Sequence, residues 1–218
     1  MRNNKNKRKC GECCQANGEL DKLERSHLRA LRISETKGDK RGMARDYGNL
    51  GNIYLQRHKL DKAEQMLRKA MDIHQKMNSR DGTARCCEEL GSVYLERGEY
   101  DKAEKMYLRA LRITEEMEDE NLLQGIYFNL GATYGMSSKL DKAEGMFLKS
   151  LEINERTGKL NFAGIGCIEL GKIYRERGDK EKWREYWQKA ANIFRSIGAT
   201  KAAEGLQEKI DKLQRDRK

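Results

Sequence analysis

A block of eight residues returns every 40 positions, and this period limits what the chain can fold into more than any other feature. Tyr47-Gly-Asn-Leu-Gly-Asn-Ile-Tyr54 recurs as Cys87-Glu-Glu-Leu-Gly-Ser-Val-Tyr94, Tyr127-Phe-Asn-Leu-Gly-Ala-Thr-Tyr134 and Cys167-Ile-Glu-Leu-Gly-Lys-Ile-Tyr174. A fixed period of this size is the signature of stacked supersecondary units. A second block follows in register: Asp21, Asp61, Asp101 and Asp141, each with Glu three residues later. That spacing reads as a helix start, with Asp capping a free N–H and Glu closing a capping box. Ala63, Met66, Leu67, Ala70, Met71 and Ile73 then recur at helical spacing.

Two stop positions keep the same register. Gly18, His58, Gly98, Ser138 and Gly178 fall between a first and a second helix, and Gly38, Asn78, Glu118, Gly158 and Gly198 after the second. Glycine and Asn suit helices that end in a left-handed residue, whereas His58 and Glu118 fit less well. Each unit therefore reads as a hairpin of two helices of about 15–18 residues. One hairpin cannot bury its apolar face alone, but stacked hairpins share a continuous core. Gly51, Gly91, Gly131 and Gly171 let the paired helices approach. Proline is absent, so nothing forces kinks, and the 37% of charged residues suits helices with a wide polar face.

By this register residues 1–9 are a basic tail expected to fray, 10–40 a degenerate first repeat, and 41–80, 81–120, 121–160 and 161–198 full repeats. Residues 199–218 form a capping helix with a basic tail; Ala199, Ala202, Ala203, Leu206, Ile210 and Leu213 share its apolar face.

Leu50-Gly51-x-x-Tyr54 followed by Ala63, Leu67 and Ala70 resembles the tetratricopeptide repeat pattern. Leu90, Gly91, Tyr94, Ala103, Tyr107, Ala110 and Leu130, Gly131, Tyr134, Ala143, Phe147, Ser150 repeat it. The fourth copy keeps Leu170, Gly171, Tyr174 and Ala190 but carries Trp183 at a small position and Trp187 at the large one. The period exceeds the roughly 34 residues usual for the family. In this it is similar to the long-repeat branch of kinesin light chain and the regulators named for Leu-Gly-Asn repeats. The resemblance implies an all-α fold, a right-handed α-solenoid of stacked antiparallel hairpins. It also implies a protein-interaction scaffold or adaptor that holds a peptide in a concave groove. A structural or regulatory module of a larger array or sensor is the alternative.

Few residues point to chemistry. Cys10, Cys13 and Cys14 fall at the register of Leu50, Ile53 and Tyr54, and Cys87 and Cys167 at that of Tyr47, all core positions where free Cys acts as a small hydrophobe. Cys86 is left over. His27 aligns with the core residue Leu67, and His58 is a turn residue. No nucleophile elbow, phosphate loop or metal-binding helix motif is present. Neither enzyme activity nor a cofactor is expected.

The formal net charge of +10 belongs to the ends: residues 1–9 contribute +5 and 209–218 contribute +3, leaving +2 for the body. Binding of nucleic acid or an anionic surface through the termini is therefore the less favoured reading. No apolar run nears the ~20 residues that span a bilayer, so a membrane partner is not expected and a cytoplasmic location is.

The groove residues come from the first helices. Arg45, Asn52, Arg85, Ser92, Phe128, Ile168 and Lys172 lie in rows of aligned spacing, with Asn49 and Asn129 in the row beside them. Phe128 and Ile168 are apolar where stacking alone would leave them exposed. The resemblance implies that the Asn residues clamp a peptide backbone and that Arg45 and Arg85 meet acidic side chains. The expected partner is a protein or peptide with acidic plus apolar residues.

Overall fold

The computed structural model describes the backbone of residues 3–215 and the side chains of residues 18–213. All described secondary structure is helical. Two compact units divide at residue 99. The first holds α1 (Asn3–Lys37), α2 (Lys40–Gln56), α3 (Leu60–Lys76) and α4 (Arg80–Glu96). The second holds α5 (Tyr100–Glu115), α6 (Glu120–Met136), α7 (Leu140–Arg156), α8 (Leu160–Glu176), α9 (Lys180–Ser196) and α10 (Thr200–Arg215). Within each unit consecutive helices pack against one another through short turns, the antiparallel α-solenoid arrangement.

The turns fall at the expected positions. His58, Asn78, Glu118 and Ser138 all take φ between 52° and 58°, joined by glycines at 38, 98, 158, 178 and 198. The turn after α2 shows why: His58 N–H donates to the Leu55 carbonyl at 2.8 Å and Lys59 N–H to the Tyr54 carbonyl at 2.8 Å. This pair of bonds satisfies carbonyls that a helix end leaves open, and it requires a left-handed residue between. His58 and Glu118 thus accept a backbone strain that Gly would avoid.

Gly18 is the exception. It lies inside α1, which runs unbroken to Lys37. The sequence before it offers only Met1, three cysteines and Ala16 as apolar residues, too few to hold a folded-back helix. In consequence Leu23 and Ile33 of α1 are about half exposed, although Ala63 in the register of Leu23 is fully buried. The expected fraying of residues 1–9 and the core placement of Cys10, Cys13 and Cys14 lie outside the residues whose side chains are described.

Close approach explains the register glycines. A Cβ on Gly51 would stand 2.6 Å from the Leu67 side chain, and one on Gly171 would strike the Trp187 ring at 2.1 Å. Trp183 and Trp187 are buried edge to face, centroids 5.5 Å apart, and the Trp187 indole N–H donates to the Ile168 carbonyl at 3.1 Å. Ala203, Leu206 and Ile210 of α10 are buried, and α10 packs on α9 as a cap.

The recurring Asp and Glu do not form capping boxes. The residue before α3 is Lys59, with no side-chain cap; the side-chain caps are Asp39, Ser79, Asp119 and Asp179. Instead each Asp–Glu pair grips the next repeat. Glu64 accepts from Tyr94 Oη at 2.6 Å and from Arg97, whose second nitrogen reaches Asp61 at 2.6 Å. Glu24 and Asp21 hold Tyr54 and Arg57 in the same way, and Glu144 and Asp141 hold Tyr174 and Arg177. Between α5 and α6 the arginine is replaced by Ser137, and Lys139 reaches Glu104 at 2.9 Å instead. Burial pushes the Glu64 carboxyl up, but the bonds from Tyr94, Arg97 and Arg68 outweigh it and hold it at about 2.

Candidate functional site

In the first unit the candidate residues share a face of α2 and α4. The Asn52 amide donates to Glu89 Oε1 at 2.6 Å, tying the two helices together. Asn49 is half-buried one turn earlier. Ser92 is turned toward its own helix, its hydroxyl donating to the Glu88 carbonyl at 3.3 Å. The two arginines stand beside carboxylates of this chain. Arg85 Nε pairs with Asp81 at 3.0 Å, and the exposed Arg45 lies 3.6 Å from Asp46. Two half-buried acids, Glu88 and Glu89, follow Arg85 on α4. Burial pushes the Glu89 carboxyl up to about 7 against the Asn52 bond, and burial also raises Glu88. The middle of this face therefore carries two carboxyls whose charge is disfavoured by burial.

In the second unit α6 and α8 flank two clefts that share Phe128. One, of about 320 Å³, has Phe128, Met136, Leu140, Phe147 and Ile173 as its apolar lining and Glu169, Lys172 and Glu176 as its charged lining. Phe128 is steadied there by an edge-to-face contact with Phe147, centroids 5.3 Å apart. The other, of about 230 Å³, brings Phe128 and Asn129 together with Asn154, Phe162 and Ile165. Phe162 and Met136 are more than half exposed, large apolar groups at the mouths of these clefts. Ile168 is half-buried beside Phe128 in register but lines neither cleft. Lys172 pairs with Glu169 at 2.6 Å. The fold thus brings together Phe128, Asn129 and Lys172, and adds Phe162, Met136 and Ile165. Met136 and Ile165 carried a signal in the sequence, an apolar residue where sister repeats have Glu96 and Gln56 or Arg85 and Arg45; Phe162, with Leu122, Gly82 and Gly42 as sisters, carried none of that kind.

A family profile described as tetratricopeptide repeat matches residues 7–76 and 83–156, and a second of the same description matches 166–197. The chain belongs to the tetratricopeptide repeat family. No curated protein matches the sequence. Among solved structures, BtubC from P. vanneervenii superposes with a TM-score of 0.70 at 18% identity, over 90% of this chain and 91% of that one. A putative kinesin light chain repeat protein from Podosopora anserina gives 0.69 at 14% identity, over 88% and 94%. A signal-transduction ATPase with a tetratricopeptide repeat sensor from Pyrococcus horikoshii gives 0.71 at 24% identity, over 82% of this chain and 28% of that one. At such identities the likeness is one of fold. As a tetratricopeptide chain this is a repeat module of the protein-interaction type.

The remaining reactive groups serve the tetratricopeptide packing. Cys86, unexplained by the register, is buried, as are Cys87 and Cys167. It occupies the slot of Asp46 and Ile126, which face the core between repeats. Burial pushes the Cys86 thiol up to about 12 and Cys167 to about 11, so neither is a ready nucleophile. His27 holds Asp46 at 3.1 Å, and His58 pairs with Glu96 at 3.0 Å. The His74 ring fills the space over Gly82. Among the described residues no three His, Cys, Asp or Glu side chains converge as metal ligands, and no helix is long and apolar enough to cross a membrane.

Proposed function

We propose that this chain is an adaptor that binds a segment of a partner protein on the exposed face of its first helices. Its apolar anchor is held at Phe128. The observation that carries this reading is the pair of clefts on either side of that ring, with Met136 and Phe162 exposed at their mouths. Exposed apolar groups around a cleft are retained against their cost in water where a partner covers them. The amides of Asn49 and Asn129 supply donors and acceptors for an extended backbone. Affinity then centres on one buried aromatic site with weaker polar contacts around it.

The test is selection of peptides from a random display library on the full chain, followed by titration of the selected peptides onto Phe128→Asp. Loss of binding is the expected result. Full retention, with the helical content unchanged, would remove Phe128 from the site. A second reading is a sensing module within a larger protein, favoured by the likeness to the sensor-bearing ATPase, of which this chain spans 28%.

A further inference from the structure

The charged residues around the larger cleft say what kind of segment fits it. Phe128 packs edge-on against Phe147 and, with Ile173 and Leu140, provides an apolar lining for a cleft of about 320 Å³. Its charged lining is Glu169, Lys172 and Glu176, all on α8 and spaced so that 169, 172 and 176 share one side of the helix. Lys172 is committed to Glu169 at 2.6 Å. Glu176 is exposed and forms no ion pair among the described residues. The cleft therefore combines an apolar lining with one carboxylate in excess. From the Phe128 row of the second unit, we infer that the bound segment is basic: an arginine or lysine enters this cleft, its methylene stem along Phe128 and its cationic head at Glu176 and Glu169. This assignment rests on the segment-binding reading above and specifies its partner.

Three physical points support that choice. Long basic side chains lay their stems on apolar surface while the head stays at a wetter rim. A guanidinium is further attracted to an aromatic ring within reach. An acidic side chain, by contrast, would have to displace Glu169 from Lys172 and meet Glu176 as a like charge. In the first unit the candidate cations are already matched by carboxylates of this chain. Its arginines lie beside Asp46 and Asp81, while half-buried Glu88 and Glu89 occupy the middle of the α2–α4 face. The cations that an acidic segment would meet there thus already stand beside carboxylates of the same chain.

The inference runs against the net charge of +10, which by itself would draw acidic peptides. That makes it sharply testable with three labelled nonapeptides of alternating residues, Leu–Arg, Leu–Gln and Leu–Glu, titrated onto the full chain. The expected order is Leu–Arg tightest, Leu–Gln about tenfold weaker and Leu–Glu weaker again, the spread narrowing at high salt. Glu176→Lys should cut Leu–Arg affinity about tenfold. The pair Glu169→Gln with Glu176→Gln frees Lys172 and should invert the order in favour of Leu–Glu. Glu176 is exposed and Glu169 only half-buried, and Gln keeps the size of Glu, so neither change threatens the core. Tighter binding of Leu–Glu than Leu–Arg to the unaltered chain, equal binding of Leu–Arg and Leu–Gln, or no binding of Leu–Arg overturns the inference. Segment binding is judged separately by Phe128→Asp on library-selected peptides, so either reading can fail while the other stands.

Discussion

The α2–α4 face and the α6–α8 face occupy the same repeat positions and present different chemistry. Position 48 of the first is Gly and its sister 88 is Glu; in the second, 128 is Phe and 168 is Ile. The first face is closed by a bond from Asn52 to Glu89, whereas the second is parted around Phe128 into two clefts. The difference teaches that the repeat fixes where side chains point but leaves their chemistry free. Recognition is written in the positions that the period does not constrain.

The comparison can be broken first in the core beneath each face. Trp187→Ala should lower stability by about 4 kcal/mol and Leu67→Ala, its counterpart under Gly51, by about 3 kcal/mol, read from urea midpoints by circular dichroism. A Trp187→Ala loss below about 1 kcal/mol would mean that the indole is not holding α8 against α9.

Next comes binding. Phe128→Asp should weaken library-selected peptides by about 30-fold or more, the scale of a central anchor, while Asn52→Ala should change them by less than about threefold. Equal effects at the two faces would erase the distinction drawn here.

The clamps between repeats give a smaller contrast. Glu64→Gln should cost about 1–2 kcal/mol, because Tyr94 and Arg97 both donate to a charged acceptor. Glu104→Gln should cost about half as much, since Ser137 stands where its arginine would be. The Glu64 carboxyl is held at about 2, below its ordinary 4.5. Its contribution is therefore complete above the ordinary range and is lost as pH falls from there toward 2. Acid unfolding followed with and without Glu64→Gln should show that loss vanish in the variant.

The smallest effect has the opposite sign. Glu89 is raised to about 7 from 4.5, so between those values the folded state holds more protons than the unfolded one, and stability falls as pH rises through that window. Glu89→Gln should gain on the order of 1 kcal/mol at pH 8 and nothing at pH 4. A gain that is the same at both pH values would show that the ionised carboxylate is not the cause.

Much of this architecture was legible because packing and turns recur. The period located nine left-handed turn residues, including His58 and Glu118, whose side chains gave no hint of it. It also marked Gly51 and Gly171 as points of close helix approach, while the side chains they meet, Leu67 and Trp187, came from the fold. Partners between repeats were harder, since a period shows that a residue returns without showing what it touches. Asp61 and Glu64 look like a helix cap from their own neighbours; their true partners, Tyr94 and Arg97, lie 30 to 36 residues on. The trace was there in the repeat that carries Ser137 and compensates with Lys139. His27 and Asp46 are likewise two polar exceptions at core slots, and they answer each other. The charge of the partner was not legible from Arg45 and Arg85, because counting charges one residue at a time passes over the carboxylates one residue or one turn away.

The central claim is that the α6–α8 face holds the partner segment and the α2–α4 face does not anchor it. Hydrogen–deuterium exchange of the full chain with and without a library-selected peptide tests this directly. The account predicts added protection at residues 124–136 and 160–176, lost in Phe128→Asp. Protection confined to residues 45–56 and 85–96, with 124–136 unchanged, would contradict it.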